Sequence, residues 1–416
     1  MSSPLKLSQS EVDYLLSPKA IRDRARAIFD FTMAGNGCFD IHEDRFQPTV
    51  KFVMDVIQQK YPDKNIPFHS RWGHFRAGGI DRPAAFKKIT ASLDPIERAR
   101  TELDLVITSV LLDAGAGAAW SFDEELPKGN YARSEGLGVA SYHMFLAGAM
   151  SGDRKAEAHS LRADAAGLKA LTVKDVERYF QVSDKNPLVG VEGRVALLNG
   201  LGRAVEDKSR FKDGRPGNIV DFLISKHGNI IPATAILRAV LDGFGAIWPG
   251  RLSATGSYGS VNLGDMWRHS KLAAQDSIES LVPIHKLSQW MTYSLIEPML
   301  DAGLKVTGVS DLTGLAEYRN GGLLVDMGVL TLRNPADAAK AWRPDSDLII
   351  EWRALTIHFL DRIGAEVQKA LGKTPDEFPL AKVLEGGTWW AGRFIAKEKR
   401  PSADPPLNIA SDGTVF

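Results

Sequence analysis

Apolar residues recur at three- and four-residue spacing through most of this chain, and that spacing predicts helices. Ile21, Ala25, Ile28 and Phe29 share one helical face behind Ser17-Pro18, an N-cap followed by proline at the first helical position. Phe52, Val53, Val56 and Ile57 form a second stripe, closed by Pro62. Asp94-Pro95-Ile96-Glu97 combines a cap, a first-turn proline and an acid that favours the helix dipole. The helix it opens is expected to run through Leu103, Val106, Ile107, Val110 and Leu111 to a break at Gly115-Ala116-Gly117. Thr172-x-x-Asp175 and Pro232 open two more, and long helical patterns cover 277–302, interrupted by Pro283 and Pro298, and 346–371. Segments 304–309 and 323–332 fit short strands or helix ends, and periodicity does not separate the two. Segments 70–83 and 251–268 are Gly-rich and aromatic and read as long structured loops. The fold expected is mainly α, a large helical body with a few short strands. Its 416 residues suit one large domain or two intimately packed lobes, about 1–205 and 206–416.

Against this pattern, charged residues inside apolar runs stand out. Segment 311–330, DLTGLAEYRNGGLLVDMGVL, sets Glu317, Tyr318 and Arg319 side by side among Leu, Ala, Val and Met. Desolvating an unpaired charge costs several kcal/mol, so such groups imply a buried polar site or a buried ion pair. Asn320-Gly321-Gly322 is expected to break any regular element and let the backbone approach something closely. Glu351 and Arg353 lie in a helix apolar on nearly every side, so they need partners; Glu317, Arg319 or each other are the expected ones.

Three further clusters can carry chemistry. Segment 68–82, FHSRWGHFRAGGIDR, concentrates His69, His74, Arg71, Arg76, Arg82 and three aromatics. It reads as a lip that stacks on a planar ligand and binds oxygens through arginine, or as a loop anchored by its rings. In 110–120, VLLDAGAGAAW, Asp113 ends an apolar helix beside small residues; it either contacts a sugar hydroxyl or pairs locally. In 258–269, Asp265 adjoins Trp267, Arg268 and His269. An indole raises a carboxyl pKa and an arginine lowers it, a combination that marks tuned acids and bases; the bland alternative is an Asp capping a turn.

Composition removes several classes of function. Lys plus Arg and Asp plus Glu are 51 each, so the basic excess of a nucleic-acid binder is missing and a small-molecule ligand is favoured. A single cysteine, Cys38, excludes an intrachain disulfide. No apolar run approaches the ~20 residues of a membrane span. The N-terminus shows no targeting pattern, so a cytoplasmic protein is expected. His69 and His74 are five apart, off the helical spacing of zinc motifs, and no dinucleotide, Walker or nucleophile-elbow motif occurs; neither metal nor cofactor is expected.

Long motifs then carry a resemblance. FHSRWGHFRAGGIDR at 68–82, LLDAGAGAAW at 111–120, RSEGLGVASYHMF at 133–145, NPLVGVEGR at 186–194, GDMWRH at 264–269, LTGLAEYRNGG at 312–322, EWRALTIHFLD at 351–361, GGTWWAGR at 386–393 and SDGTVF at 411–416 resemble the uracil catabolism protein four family. A second likeness is to queuosine salvage proteins. Segment 312–330 is similar to their Asp-Tyr-Arg segment, with Glu317 in place of Asp, and EWRALTI to their Glu-x-Arg-Ala helix. HKLSQWMTYSL at 285–295 is similar to the Lys-Arg-Ala-Gln helix that follows an Arg-Asp turn, where GDMWRH sits here. Those proteins are helical N-glycosidases of DNA-glycosylase-like architecture. The Val-Pro-Gln that follows their Asp-Tyr-Arg is missing here, so their base recognition does not carry over.

Together the resemblances imply hydrolysis of the N-glycosidic bond of a ribosylurea-type intermediate of uracil degradation, or of its 5′-phosphate. The transition state is oxocarbenium-like, so a carboxylate near C1 is required, together with donors to the departing urea. Asp265 and Glu317 are the expected catalytic carboxylates. Tyr318, Arg319 and Lys286 are expected to orient them or hold the leaving group, and Arg71, His74 and Asp113 to contact the sugar or its phosphate. Trp267 and His269, flanking Asp265, complete the substrate-binding set. These segments are expected to converge on one site, with 411–416 packed near it. The alternatives are a metal-dependent amidohydrolase acting on the ureido group and a non-catalytic partner of the ring-opening enzyme.

Overall fold

In the computed structural model, residues 4–113, 115–117, 119–153 and 161–410 are described; the expected docking of 411–416 falls outside them. Local signals set the helix starts. Ser17 accepts from the Ala20 amide at 3.2 Å and opens Pro18–Met33. Asp94 accepts from the Ile96 and Glu97 amides, both at 3.0 Å, and opens Pro95–Leu111. Thr172 and Asp175 form a reciprocal capping box at the start of Val173–Tyr179. The stripe ended by Pro62 lies in Phe46–Lys60, and Asp347–Leu371 is the longest of the described helices. The protein is mainly α, with strands of two to four residues between the helices.

The chain forms two compact units. The first takes the described residues up to His69, Gly250–Gln289 and the described residues from Gly308 on. In it Pro18–Met33 packs along Asp347–Leu371, with the Phe29 and His358 rings stacked at 4.1 Å. Tyr318–Asp326 packs on Trp389–Lys399, so closely that a Cβ on Gly392 would fall 2.1 Å from the Arg319 carbonyl oxygen. Ile21, Ile28, Val53 and Ile57 are fully buried here; each such side chain contributes about 1.5–3 kcal/mol. The second unit takes Ser70–Pro249 and Trp290–Thr307, and in it Arg133–Leu146 packs on Pro95–Leu111 over a core that includes Leu103, Val106 and Val110. Lys286–Asp301 gives its first turn to the first unit and the remainder to the second.

Four segments differ from their local reading. Within 277–302, Leu281–Pro283 is a strand antiparallel to Met266–Arg268, and the helix begins only at Lys286. Pro283 has no N–H to donate, and the Ile284 and His285 amides are taken by the Asp265 carbonyl at 3.0 and 3.1 Å. The two Gly-rich stretches are not loops. Segment 70–83 contains the helix Arg71–Phe75, and 251–268 contains the hairpin Ser253–Gly256/Gly259–Asn262, turned at Ser257-Tyr258 and followed by Gly259 with φ +93°. Asn320-Gly321-Gly322 does not break structure: all three lie inside Tyr318–Asp326. The glycine there is a packing requirement, since a Cβ on Gly321 would meet the Trp352 indole at 2.8 Å, and that indole N–H donates to the Gly321 carbonyl at 3.0 Å. Segment 304–309 is the strand Lys305–Thr307, and 323–332 is the end of Tyr318–Asp326 followed by the strand Leu330–Leu332.

Candidate functional site

The strand pair Met266–Arg268/Leu281–Pro283 fixes Asp265 at its open end, directly before the Lys286–Asp301 helix. Its carboxylate accepts four hydrogen bonds. Oδ1 takes Arg353 Nη1 at 2.8 Å and the Trp267 indole N–H at 2.7 Å; Oδ2 takes Arg353 Nη2 at 2.8 Å and the Lys286 amide at 2.9 Å. Burial by itself raises this carboxyl's pKa. The charge and hydrogen bonds of Arg353, with the Lys286 and Trp267 donors, outweigh it and hold Asp265 well below the ordinary carboxylate range. Trp267 therefore acts as a donor rather than an apolar wall. The arginine that matters is Arg353, from a distant helix, whereas Arg268 donates to Ser280 Oγ and the Gln275 carbonyl. With each oxygen already holding two donors, Asp265 is suited to being a fixed anion and poorly suited to taking a proton.

A second polar cluster surrounds His269, which is fully buried. The Lys271 amide donates to Nδ1 at 3.3 Å, so Nε2 carries the proton and points it at Glu351 Oε1, 3.1 Å away. Glu351 Oε2 accepts from the Cys38 amide at 2.5 Å, and Gly37 is required beside it, because a Cβ there would approach Oε2 to 2.8 Å. Burial and the adjacent Glu351 charge push the Cys38 thiol up to about 12. Arg353 and Glu351 thus find partners 88 and 82 residues away.

Glu317 is the N-cap of Tyr318–Asp326. Its Oε2 accepts from the Arg319 amide at 2.7 Å and its Oε1 from the Asn320 amide at 2.5 Å. A carboxylate there satisfies two orphan amides and faces the positive end of the helix dipole. Arg319 is buried, donates Nη1 to the Ala403 carbonyl at 2.6 Å and lies 4.9 Å from the Tyr318 ring centre.

In the second unit Arg71 and Asp113 come together. Arg71 is wholly buried; Nη1 reaches Asp113 Oδ1 at 2.5 Å, Nε reaches Ser109 Oγ at 2.7 Å, and Ser109 bonds Ser141 Oγ at 2.6 Å. Burial lowers the Arg71 pKa and the Asp113 charge opposes it. His74 is buried with its ring 5.6 Å from Trp290, edge to face. Arg194, which the sequence reading overlooked, donates to the carbonyls of Leu112 at 3.1 Å and Gly115 at 3.2 Å; burial brings it down to about 10. Arg82 is structural, forked on Glu124, which also holds His143 at 2.7 Å.

His69, of the first unit, bonds through Nδ1 to Glu385 Oε2 at 2.7 Å, and Tyr61 donates to Oε1 of the same carboxylate at 3.1 Å. Glu385 sits in a π-helical turn, Leu384–Thr388, whose Gly386 and Gly387 close on Ile66, Val53 and Ile57. Among the described residues no three His, Cys, Asp or Glu side chains converge as a metal-ligand set, and no helix is long and apolar enough to cross a membrane.

Residues 14–416 match the family described as "Protein of unknown function (DUF1688)". The chain is 37% identical over 444 residues to "Uracil catabolism protein 4" of Lachancea kluyveri, an alignment covering 97% of this chain and 99% of that protein. It is 39% identical over 424 residues to "Protein urg3" of Schizosaccharomyces pombe, covering 99% of this chain and all of that one, 100%.

Proposed function

The chain belongs to the DUF1688 family, and from that premise we propose that it is an enzyme of uracil catabolism that releases urea from a ribosylurea-type compound, or from its 5′-phosphate, by hydrolysing the N-glycosidic bond. The name of the Lachancea kluyveri relative supports the pathway. One observation carries the chemistry: a largely shielded carboxylate, Asp265, is locked in its ionised form by four donors. In this reaction the C1–N bond breaks, positive charge develops on the sugar, water oxygen bonds to C1, and a water proton ends on the urea nitrogen. An anion that needs no reorganisation stabilises that charge far better than solvent does. The reading requires the carboxylate end of the Asp265–Arg353 pair to face C1. Asp265 then acts electrostatically, and the proton moves through other groups. Lys286, at the start of the Lys286–Asp301 helix, and Tyr318 with Arg319 remain the candidates for holding the departing urea.

The test is incubation of the pure protein with ribosylurea and with its 5′-phosphate, following urea and free sugar together. The reading expects the two products in equal amounts. Ammonia without free sugar would overturn it in favour of ureido hydrolysis, and no turnover of either compound would favour the non-catalytic role.

A further inference from the structure

The first turn of the Lys286–Asp301 helix carries polar atoms that no described residue pairs with. Gln289 is fully buried, and neither its Oε1 nor its Nε2 has a hydrogen-bond partner among the described residues. His285, directly before the helix, is also fully buried, and its Nδ1 is unpartnered in the same way. The Gln289 backbone N–H donates to the His285 carbonyl at 2.9 Å, which sets the two residues one helical turn apart. Burying such groups without partners is unfavourable, so in proteins they are rare and point to something the fold alone does not supply. His285 is also held in the left-handed region at φ +48°, a conformation in which a non-glycine residue persists only when its surroundings impose it. Here the Asp265 carbonyl imposes it, by accepting the His285 amide at 3.1 Å.

The chemistry of the unused atoms is definite. His285 Nε2 lies 3.3 Å from the Leu15 carbonyl, which only accepts, so Nε2 carries the proton and Nδ1 presents a lone pair. Burial keeps this imidazole neutral, lowering its pKa. The carboxamide of Gln289 offers one acceptor and one donor whichever way its oxygen and nitrogen are assigned. The two residues therefore present two acceptor atoms and one donor nitrogen, all neutral. Their complement is a neutral group with two N–H donors and a carbonyl. A carboxylate or phosphate fits poorly, because its oxygens would face two lone pairs.

We propose that Gln289 and His285 recognise a ureido group, Gln289 pairing through its carboxamide with one N–H and the carbonyl, and His285 Nδ1 accepting from the other nitrogen. The assignment rests on the ribosylurea reading only for the identity of the rest of the ligand. It places the leaving group beside the helix start at which Asp265 accepts the Lys286 amide, 2.9 Å away. Gln289 is thereby a specificity residue that touches substrate, one the sequence reading left unassigned within HKLSQ.

The experiment is a binding measurement by calorimetry with ribosylurea, methylurea and ribose 5-phosphate on the full chain, wild type and Gln289→Leu, alongside a melting curve. Losing two neutral hydrogen bonds should weaken ribosylurea and methylurea roughly ten- to a hundredfold. Ribose 5-phosphate, which has no ureido group, should bind both proteins alike, and the variant should melt no earlier than wild type. Unchanged ribosylurea and methylurea affinity in a folded variant overturns the proposal. If Gln289→Leu does not fold, the wild-type Gln289 side-chain amide resonance decides: it should shift on adding methylurea, and a resonance that stays in place overturns the proposal. Ribosylurea bound through Gln289 yet never split would sink the glycosidase reading and leave this one standing. Urea release unaffected by Gln289→Leu would do the opposite.

Discussion

Arg353 grips Asp265 through two parallel hydrogen bonds of 2.8 Å, one to each carboxylate oxygen, from a position 88 residues further along the chain. The arginine side chain is 1% exposed and the aspartate 12%, so neither charge has bulk water to fall back on. That geometry makes the pair both a structural lock and a fixed field, and the two roles separate experimentally.

Asp265→Asn keeps the shape and leaves the Arg353 cation buried without its counter-charge. Removing one partner of such a pair should lower stability by roughly 3–5 kcal/mol. If the carboxylate also stabilises an oxocarbenium-like transition state, single-turnover urea release per folded molecule should fall by on the order of 10²–10³ as well. Denaturant unfolding and single-turnover kinetics on the same preparation check both. A variant that unfolds early but keeps its rate per folded molecule would make Asp265 scaffold alone.

Glu317 calls for a different expectation from the catalytic one its sequence context raised. Both its oxygens hold backbone amides of the Tyr318–Asp326 helix. Glu317→Gln should therefore lower stability by about 0.5–2 kcal/mol, the usual range for a lost cap, with little change in rate per folded molecule. A rate loss as large as that expected for Asp265→Asn would return Glu317 to the reaction.

Glu102 supplies a pH signature. It is buried in the Pro95–Leu111 helix, and its Oε1 has no hydrogen-bond partner among the described residues. Burial, with Asp301 adding and Lys87 opposing, pushes its carboxyl from 4.5 up to about 7. Below pH 4.5 folded and unfolded chains both hold the proton. Between 4.5 and 7 the unfolded chain ionises first, so stability falls as pH rises, and above 7 the loss is complete. Glu102→Gln removes this titration. The variant should match wild type near pH 4 and exceed it above pH 7 by at most about 3 kcal/mol, read from unfolding curves across that range. A stability difference that does not vary with pH would contradict the assignment.

Cys38 should be a slow thiol. With its pKa near 12, against 9.0 for the free group, its alkylation at pH 8 should be on the order of 10²–10³ slower than in the unfolded chain. Glu351→Gln removes the second-largest cause of the shift and should speed the reaction. Stopped alkylation followed by mass measurement reports both rates, and a fast thiol in the folded wild type would contradict the half-buried, anion-flanked placement.

What the sequence determined by itself is what acts over a few residues. Ser17, Asp94 and Thr172 each cap a helix because their partners are amides two or three positions ahead, and the buried stripes follow from helical periodicity. The mainly α class follows from those signals, and the polar segments at 258–269, 312–322 and 351–361 were already conspicuous as charges among apolar neighbours. What only the tertiary structure decided is which charge meets which. Arg353 with Asp265 and Glu351 with His269 and Cys38 are pairs across tens to hundreds of residues, and local spacing says nothing about them. The same holds for Gly321, which reads as a helix breaker until Trp352 is seen against it, and for Leu281–Pro283, whose strand needs Met266–Arg268 to pair with. Propensity is a matter of a kcal/mol or less per residue, and packing contacts of several kcal/mol override it. Even Gln289 belongs to this second category, because a carboxamide without a partner among the described residues is visible only once its neighbours have been placed.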